Sequence, residues 1–293
     1  MSIVNFGSLN IDHVYQVERF VVAGETLPSR GYRRYAGGKG LNQAVALARA
    51  GAEVSMVGRI GACGEWLKEF LREEGVGVGR VEIIDGATGH AIIQVSPEGE
   101  NAILTAGGAN HRFTLAAADK ALDGFGGGDW LLLQNEISAV DEIIRLASGK
   151  GGKILFNPAP ITPAAADYPF ELVDWIVMNE SEGEGLTGQS DPNRMLASLV
   201  KEFPNLSIVL TLGAKGAILA NRAEKYSIPA IAVNAVDTTA AGDTFIGYFL
   251  AELADGVDPK DAMNTACEAA AFSVMTAGAS ESIPRREELE RGE

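Results

Sequence analysis

Residues 130–157 hold three pieces in a row: Trp130-Leu131-Leu132-Leu133-Gln134, then Val140, Ile143, Ile144 and Ala147 among polar residues, then Lys153-Ile154-Leu155-Phe156-Asn157. The outer pieces are short apolar runs of strand length. The middle one repeats its apolar residues at i, i+3, i+4 and i+7, the spacing of a helix with one buried face. Strand, helix and strand in so short a span make a βαβ unit, whose two strands lie parallel in one sheet.

The same rhythm extends in both directions. Ile3–Gly7 and Val54–Gly58 read as strands before this unit, and Trp175–Asn179 and Ile208–Thr211 as strands after it. Between them, Trp66, Leu67, Phe70 and Leu71 face one way, with Lys68, Glu69, Arg72 and Glu73 opposite. Met195, Leu196, Leu199, Val200 and Phe203 repeat the pattern. The fold expected is a doubly wound α/β domain over residues 1–293, with a mostly parallel sheet sandwiched by helices. Asp258–Ala277 is apolar on nearly every face and is expected to be a helix buried inside the domain. Cys267 within it reads as core filling, since buried thiols behave as small hydrophobes.

Two stretches break the rhythm. His90–Ser96 and Ala102–Thr105, joined by Pro97-Glu98-Gly99-Glu100-Asn101, look like an antiparallel hairpin. Residues 14–35 read as extended pieces with turns. Together, segments of about 13–36 and 88–106 are expected to form a small β lid on the ligand side of the sheet. Arg285–Glu293 reads as a solvated tail.

Composition removes several function classes. The 293 residues are 46% hydrophobic and 22% charged, a globular balance, with a net charge of −15. So acidic a chain has no general attraction for nucleic acid or anionic lipid. An anionic substrate needs a local site built from backbone N–H groups or a few cations. Two distant cysteines, Cys63 and Cys267, give neither a disulfide framework nor a zinc site, and no His pair has metal-ligand spacing. The start of the chain lacks a signal-peptide pattern and no stretch is long enough to span a bilayer, so a cytoplasmic protein is expected.

Two glycine-rich turns could carry chemistry. Asp237-Thr238-Thr239-Ala240-Ala241-Gly242-Asp243 leads straight into a helical stretch from Thr244. The free N–H groups of its first turn favour an anion, and Gly242 lets one come close. Asp243, in that same turn, would repel a bound phosphate. It makes sense there as a base that takes the proton of a hydroxyl attacking the phosphate. The plainer reading, an acidic residue complementing a helix dipole, is equally open on these residues alone.

Gly37-Gly38-Lys39-Gly40-Leu41-Asn42-Gln43-Ala44 is the second turn. It is not a Walker A loop, and no GxGxxG follows the first strand. Its glycines would let a polyol lie against the backbone, with Asn42 both donating and accepting, although a tight strand–helix turn would look similar. Asp12, Glu136, Asn179 and Glu182 each follow a strand, where open α/β sheets place their ligand crevice.

Taken in order, Gly7-Ser8-Leu9-Asn10-Ile11-Asp12, the Gly37–Ala44 turn, Asn179-x-x-Glu182, Thr211-Leu212-Gly213-x-x-Gly216 and Asp237–Phe245 resemble the ribokinase-like carbohydrate kinases, from near residue 3 to about residue 284. The resemblance implies ATP-dependent phosphorylation of a sugar primary hydroxyl, ribose first among acceptors, with Asp243 as base and the amides of Ala240, Ala241, Gly242 and Asp243 as anion hole. It implies sugar contacts from Asp12, Gly38, Lys39, Asn42 and Glu136. ATP would lie near Asn179, Thr211, Gly213 and Gly216, with Glu182 placing Mg²⁺ through water. A monovalent cation, K⁺, would be held at Asp237, Thr239, Val274, Ala277, Gly278 and Ser282. A homodimer through the lid is also implied.

Three departures from the family pattern stand out. Gly61-Ala62-Cys63-Gly64 is short and lacks an acid, Cys267 replaces a commonly polar residue expected near adenine, and Thr276–Ser280 is short by one residue. A nucleoside, fructose or keto-deoxy acid acceptor is the next reading, the acid because the lid carries Arg30, Arg33 and Arg34. A non-catalytic sugar-binding protein is the third; a buried base would serve it no purpose.

Overall fold

The computed structural model describes residues 2–291. The chain enters as β1 (Ile3–Phe6), forms β2 (Asn10–Gln16) and β3 (Gly31–Gly37), and then winds into α1 (Lys39–Arg49). It continues through β4 (Val54–Ile60), α2 (Glu65–Glu73), β5 (Gly77–Ile83), β6 (Gly89–Val95), β7 (Asn101–Ala106) and α3 (Leu115–Ala121). Then come β8 (Trp130–Gln134), α4 (Val140–Gly149), β9 (Lys153–Asn157), β10 (Trp175–Asn179), α5 (Glu180–Thr187), α6 (Pro192–Glu202) and β11 (Ser207–Thr211). A hairpin of β12 (Ala217–Ala220) and β13 (Lys225–Ile228) precedes α7 (Ala241–Ala254), α8 (Pro259–Ser273) and α9 (Arg286–Arg291).

Nine strands form the central sheet, in the order β13-β12-β11-β10-β9-β8-β1-β4-β5. All pair in parallel except at one edge, where β12 runs antiparallel to both β11 and β13. Both faces are covered, and alternate residues of each strand divide between two apolar layers. Ile3, Leu132, Val177 and Val209 face α1, α2, α7 and α8. Val4, Leu131, Leu133, Ile176 and Ile208 face α3, α4 and α6. Strand order reverses between β8 and β1, so the crevice of this sheet opens beyond the carboxyl ends of those strands.

A second sheet, in the order β3-β2-β6-β7, is the expected lid. Its strands begin at Asn10, three residues earlier than the expected boundary at 13, because β2 grows directly out of the turn after β1. Asn110, which is buried, pins the place where the lid leaves the body. Its Oδ1 accepts from Leu9 N at 3.0 Å, and its Nδ2 donates to Asn10 Oδ1 at 2.8 Å. Arg34 on β3 lies 4.5 Å over the Trp66 ring on α2, tying lid to body a second time.

Two expectations are corrected. The helix buried all round is α7, whose residues Asp243–Glu252 are all buried. By contrast α8 stops at Ser273 and buries one face through Ala262, Met263, Ala266, Cys267 and Ala269. The run of alanines there reflects close packing on α7 rather than burial on every side. Residues 285–291 are not a free tail: Arg285 pairs with Glu74, Arg286 pairs with Glu252, and Leu289 packs on the core. Cys267 is core filling as expected, with burial pushing its thiol up to about 11. Among the described residues no helix is long and apolar enough to cross a membrane.

Candidate active site

Asp243 occupies the third position of α7, and its side chain is held by α1. Asn42 Nδ2 donates to Oδ2 at 3.1 Å and Gln43 Nε2 donates to Oδ1 at 2.8 Å. The reason these meet lies one turn further along both helices. A Cβ at Gly247 would stand 2.3 Å from Ala46 Cβ and 2.9 Å from the Ala46 carbonyl carbon and the Leu47 nitrogen. Glycine there lets the backbones of α7 and α1 touch, and Asp243, Asn42 and Gln43 are each four residues before that crossing.

The start of α7 is left open. Ala240 precedes it with φ 59°, a left-handed conformation costly for alanine, and no side chain caps the helix. Ala241 N donates to Thr238 O at 3.3 Å and Thr244 N to Ala240 O at 2.8 Å, so the unclaimed amides of the first turn are those of Gly242 and Asp243. A Cβ at Gly242 would meet nothing within 4 Å, and Gly242 and Asp243 both line one cavity. Of the four amides expected to form an anion hole, Ala241 N is the one already engaged within the described residues.

In front of it lies a cavity of about 210 Å³ lined by Lys39, Asn157, Asn179, Glu182, Thr211, Ala240, Gly242 and Asp243. Glu182 and Asn179 form a capping box at α5: Glu182 Oε2 accepts from Asn179 N at 2.9 Å, and Asn179 Oδ1 accepts from Glu182 N at 2.9 Å. Burial raises the Glu182 carboxyl above the usual range, opposed by the Asn179 amide and by Lys39. Lys39 is held charged, above the usual lysine value, chiefly by Asp243 against its own burial. It makes no salt bridge among the described residues, and Lys39 lines the cavity.

The other sugar candidates cluster beside this cavity. Glu136 accepts from Ser8 Oγ and, at 3.0 Å, from Lys39 N. Asp12, on the lid strand β2, is pushed up to about 6 by burial first, then by Glu136 and Glu281. Gly38 precedes α1 with φ 94°, and a Cβ on it would lie 3.0 Å from Ser8 O; only glycine fits this turn.

The remaining candidates sit in loops. Thr211 Oγ1 donates to Met178 O at 3.3 Å. Gly213 and Gly216 shape the β11–β12 turn, where Leu212 N donates to Gly216 O at 2.7 Å. Both lie outside the cavity's lining, whereas Thr211 is in it. At the end of α8, Asp237 Oδ2 accepts from Gly278 N at 3.1 Å and Oδ1 from Thr239 N at 2.9 Å. Val274 O accepts from both Val236 N and Asp237 N, which leaves that oxygen little to offer a cation. Ser282 Oγ donates to Ala279 O at 2.9 Å, and Ala277 is exposed beside Gly278. Gly61 donates to Thr88 Oγ1 at 3.0 Å, and the exposed Cys63 touches the same oxygen; this turn braces the root of β6.

Four buried amides carry the site and escaped the sequence reading: Asn5, Gln43, Gln134 and Asn157. Each sits in or beside an otherwise apolar run, and a polar residue inside a buried strand was the signal available.

The whole of this arrangement has relatives. The family model "pfkB family carbohydrate kinase" matches residues 1–286. The ribokinase of Haemophilus influenzae is 37% identical over 96% of this chain and 95% of its own. The deoxyribokinase of Salmonella typhi is 34% identical over 99% of this chain and 97% of its own. The crystal structure of Thermotoga maritima ribokinase superimposes with a TM-score of 0.91 at 34% identity, covering 99% of this chain and 98% of that one. With a buried carboxylate and an open helix N-terminus on one cavity, and a match over nearly its full length, this chain belongs to the pfkB family of carbohydrate kinases.

Proposed function

We propose that the chain moves the γ-phosphoryl group of ATP onto the primary hydroxyl of ribose, giving ribose 5-phosphate and ADP. The carrying observation is a buried carboxylate, Asp243, hydrogen-bonded on both oxygens and set in the same helical turn as two unclaimed amides that open on a cavity. The hydroxyl proton passes to Asp243, the freed oxygen forms its bond to phosphorus, and the bond from phosphorus to the ADP oxygen breaks. Gly242 N–H, Asp243 N–H and the Lys39 ammonium face the charge that spreads over the transferring group.

Asn179 and Thr211 line the same cavity and fit a nucleotide there, while Gly213 and Gly216 set the turn behind them. Mg²⁺ would be held through water by Glu182, whose capped carboxylate keeps lone pairs toward the cavity, and it would neutralise phosphate charge. A monovalent cation such as K⁺ would be held by the loop of Asp237, Thr239, Ala277, Gly278 and Ser282, adding positive potential beside the helix N-terminus.

Asp12, Gly38, Asn42 and Glu136 support a polyol reading of the neighbouring pocket. Two of the lid arginines are engaged elsewhere, which weakens the acid reading: Arg34 stacks on Trp66 and Arg30 pairs with Glu18. The Salmonella typhi relative makes 2-deoxyribose the second acceptor to test. The lid also leaves Tyr32, Ile103 and Leu104 more than half exposed, which supports a homodimer through it, and sedimentation of purified protein would test that. A cytoplasmic location completes the reading.

The test is turnover of Asp243→Asn against ribose and 2-deoxyribose. We expect kcat to fall by at least roughly 100-fold with both substrates still bound. Near-normal turnover would remove Asp243 as the base.

A further inference from the structure

Behind Asp243 the four buried amides form a connected chain. Gln43 Nε2 donates to Asp243 Oδ1 at 2.8 Å and lies 3.3 Å from Asn157 Oδ1. Gln43 Oε1 accepts from Gln134 Nε2 at 2.7 Å, and the same nitrogen donates to Asn5 Oδ1 at 2.9 Å. Asn5 Nδ2 ends the line on Gly40 O at 2.7 Å, and Asn157 Nδ2 ends a branch on Val177 O at 2.9 Å. Asn5, Gln43 and Gln134 are 0% exposed. Four elements thus converge on one carboxylate: the strands β1, β8 and β9 through their amides, and α1 through Gln43.

The polarity of this chain has one solution. Its ends are acceptors only, two backbone carbonyls and a carboxylate, and an amide offers its hydrogens from one atom alone. Reversing Gln43 would set its oxygen against Asp243, and reversing Gln134 would set its oxygen against two others. Gln134 Oε1 is left without a hydrogen-bond partner, so the chain is arranged for what Gln134 donates, not for its own satisfaction.

We propose that Gln43, oriented by Gln134 and Asn5, is the positioning residue of the base: it fixes the rotation of the Asp243 carboxylate so that one oxygen is turned to meet the sugar hydroxyl. This rests on Asp243 being the base. Asn42 differs in role, because its buried Oδ1 has no hydrogen-bond partner among the described residues.

The test compares Gln43→Met, Gln134→Met and the double variant, with thermal unfolding as a check on folding. Gln43→Met is expected to lower kcat by roughly 10–100-fold, the loss of one hydrogen bond to a charged group, with both KM values within about threefold of wild type. A role confined to packing would instead lower stability and leave kcat of the folded variant unchanged. Gln134→Met should lower kcat by less, again with KM values near wild type, and the double variant should lose no more than Gln43→Met alone. Folded Gln43→Met with wild-type kcat overturns the proposal. If Gln43→Met does not fold, Gln134→Met decides: a normal kcat there overturns it. Failure of the base reading shows separately, as turnover retained by Asp243→Asn.

Discussion

Replacing Gly247 by alanine adds one methyl group more than a helical turn away from the reacting atoms. It should nevertheless slow the reaction. The new Cβ would stand 2.3 Å from Ala46 Cβ, where relaxed carbon contacts need about 3.5–4.0 Å, so α7 and α1 must part by roughly 1–1.5 Å. Overpacking of this kind costs about 1–3 kcal/mol, and the better helix propensity of alanine offsets up to about 1 kcal/mol. A net loss near 1–2 kcal/mol lowers Tm by roughly 2–6 °C in a chain this size. The same displacement acts on Asp243, whose bonds to Gln43 and Asn42 are 2.8 and 3.1 Å long and would stretch beyond hydrogen-bonding reach. Misplacing a reacting group by about 1 Å can slow a reaction up to 100-fold, so kcat should fall roughly 10–100-fold with KM for ATP little changed. The assays are coupled ADP release and differential scanning calorimetry. Unchanged Tm and kcat would refute the contact; lowered Tm with normal kcat would refute its link to the base.

Other outcomes follow from the charges. Asp12, pushed up to about 6, binds hydroxyls as a carboxylate only when ionised, so kcat/KM for the sugar should fall about tenfold per unit below pH 6 while kcat does not follow it. Because its folded value lies above the unfolded one, its contribution to stability is present below the ordinary aspartate range and is lost as pH rises through about 6. Asp12→Asn should therefore raise Tm at pH 8 while raising the sugar KM. Arg49 binds Glu74 at 2.7 and 2.9 Å and Ser280 O at 2.9 Å, so Arg49→Ala should cost about 3 kcal/mol at neutral pH. Arg49 holds the Glu74 carboxyl below its usual range, so that stability is lost as pH falls through the depressed value, and wild type and variant unfolding curves should converge in acid.

The sheet was legible because each central strand is buried on both faces: runs such as Leu131-Leu132-Leu133 have one place to go, and β8 and β9 fall on the bounds read for them. The lid was legible from its turns. The relation of α7 to α8 was not, since both are rich in small apolar residues and the difference lies in which helix has neighbours on every side. The same limit hid the amides behind the base. Asp243 and Asn42 belong to motifs whose chemistry shows in the sequence, but Gln134 earns its role only through contact with residues 91 and 129 positions away. The hydrogen bond between Arg285 and Glu74, at a separation of 211, was equally out of reach and turns the expected free tail into part of the body.

An acidic chain that must hold a polyphosphate faces repulsion from its own site: Asp12, Glu136, Glu182 and Asp243 all stand around one cavity and its neighbouring pocket. The structure meets this without adding net positive charge. Glu136 accepts a backbone N–H, Glu182 is locked in a capping box, and Asp243 takes two amide hydrogens, so each charge is spent locally. Lys39, the one cation lining the cavity, is kept protonated by the same acids. The cavity is therefore lined by one cation and by the unclaimed N–H groups at the start of α7, beside carboxylates whose oxygens are already engaged. On the proposed reaction the acids do not weaken an anion site; they would fix its edge, at the place where a hydroxyl would meet the phosphate.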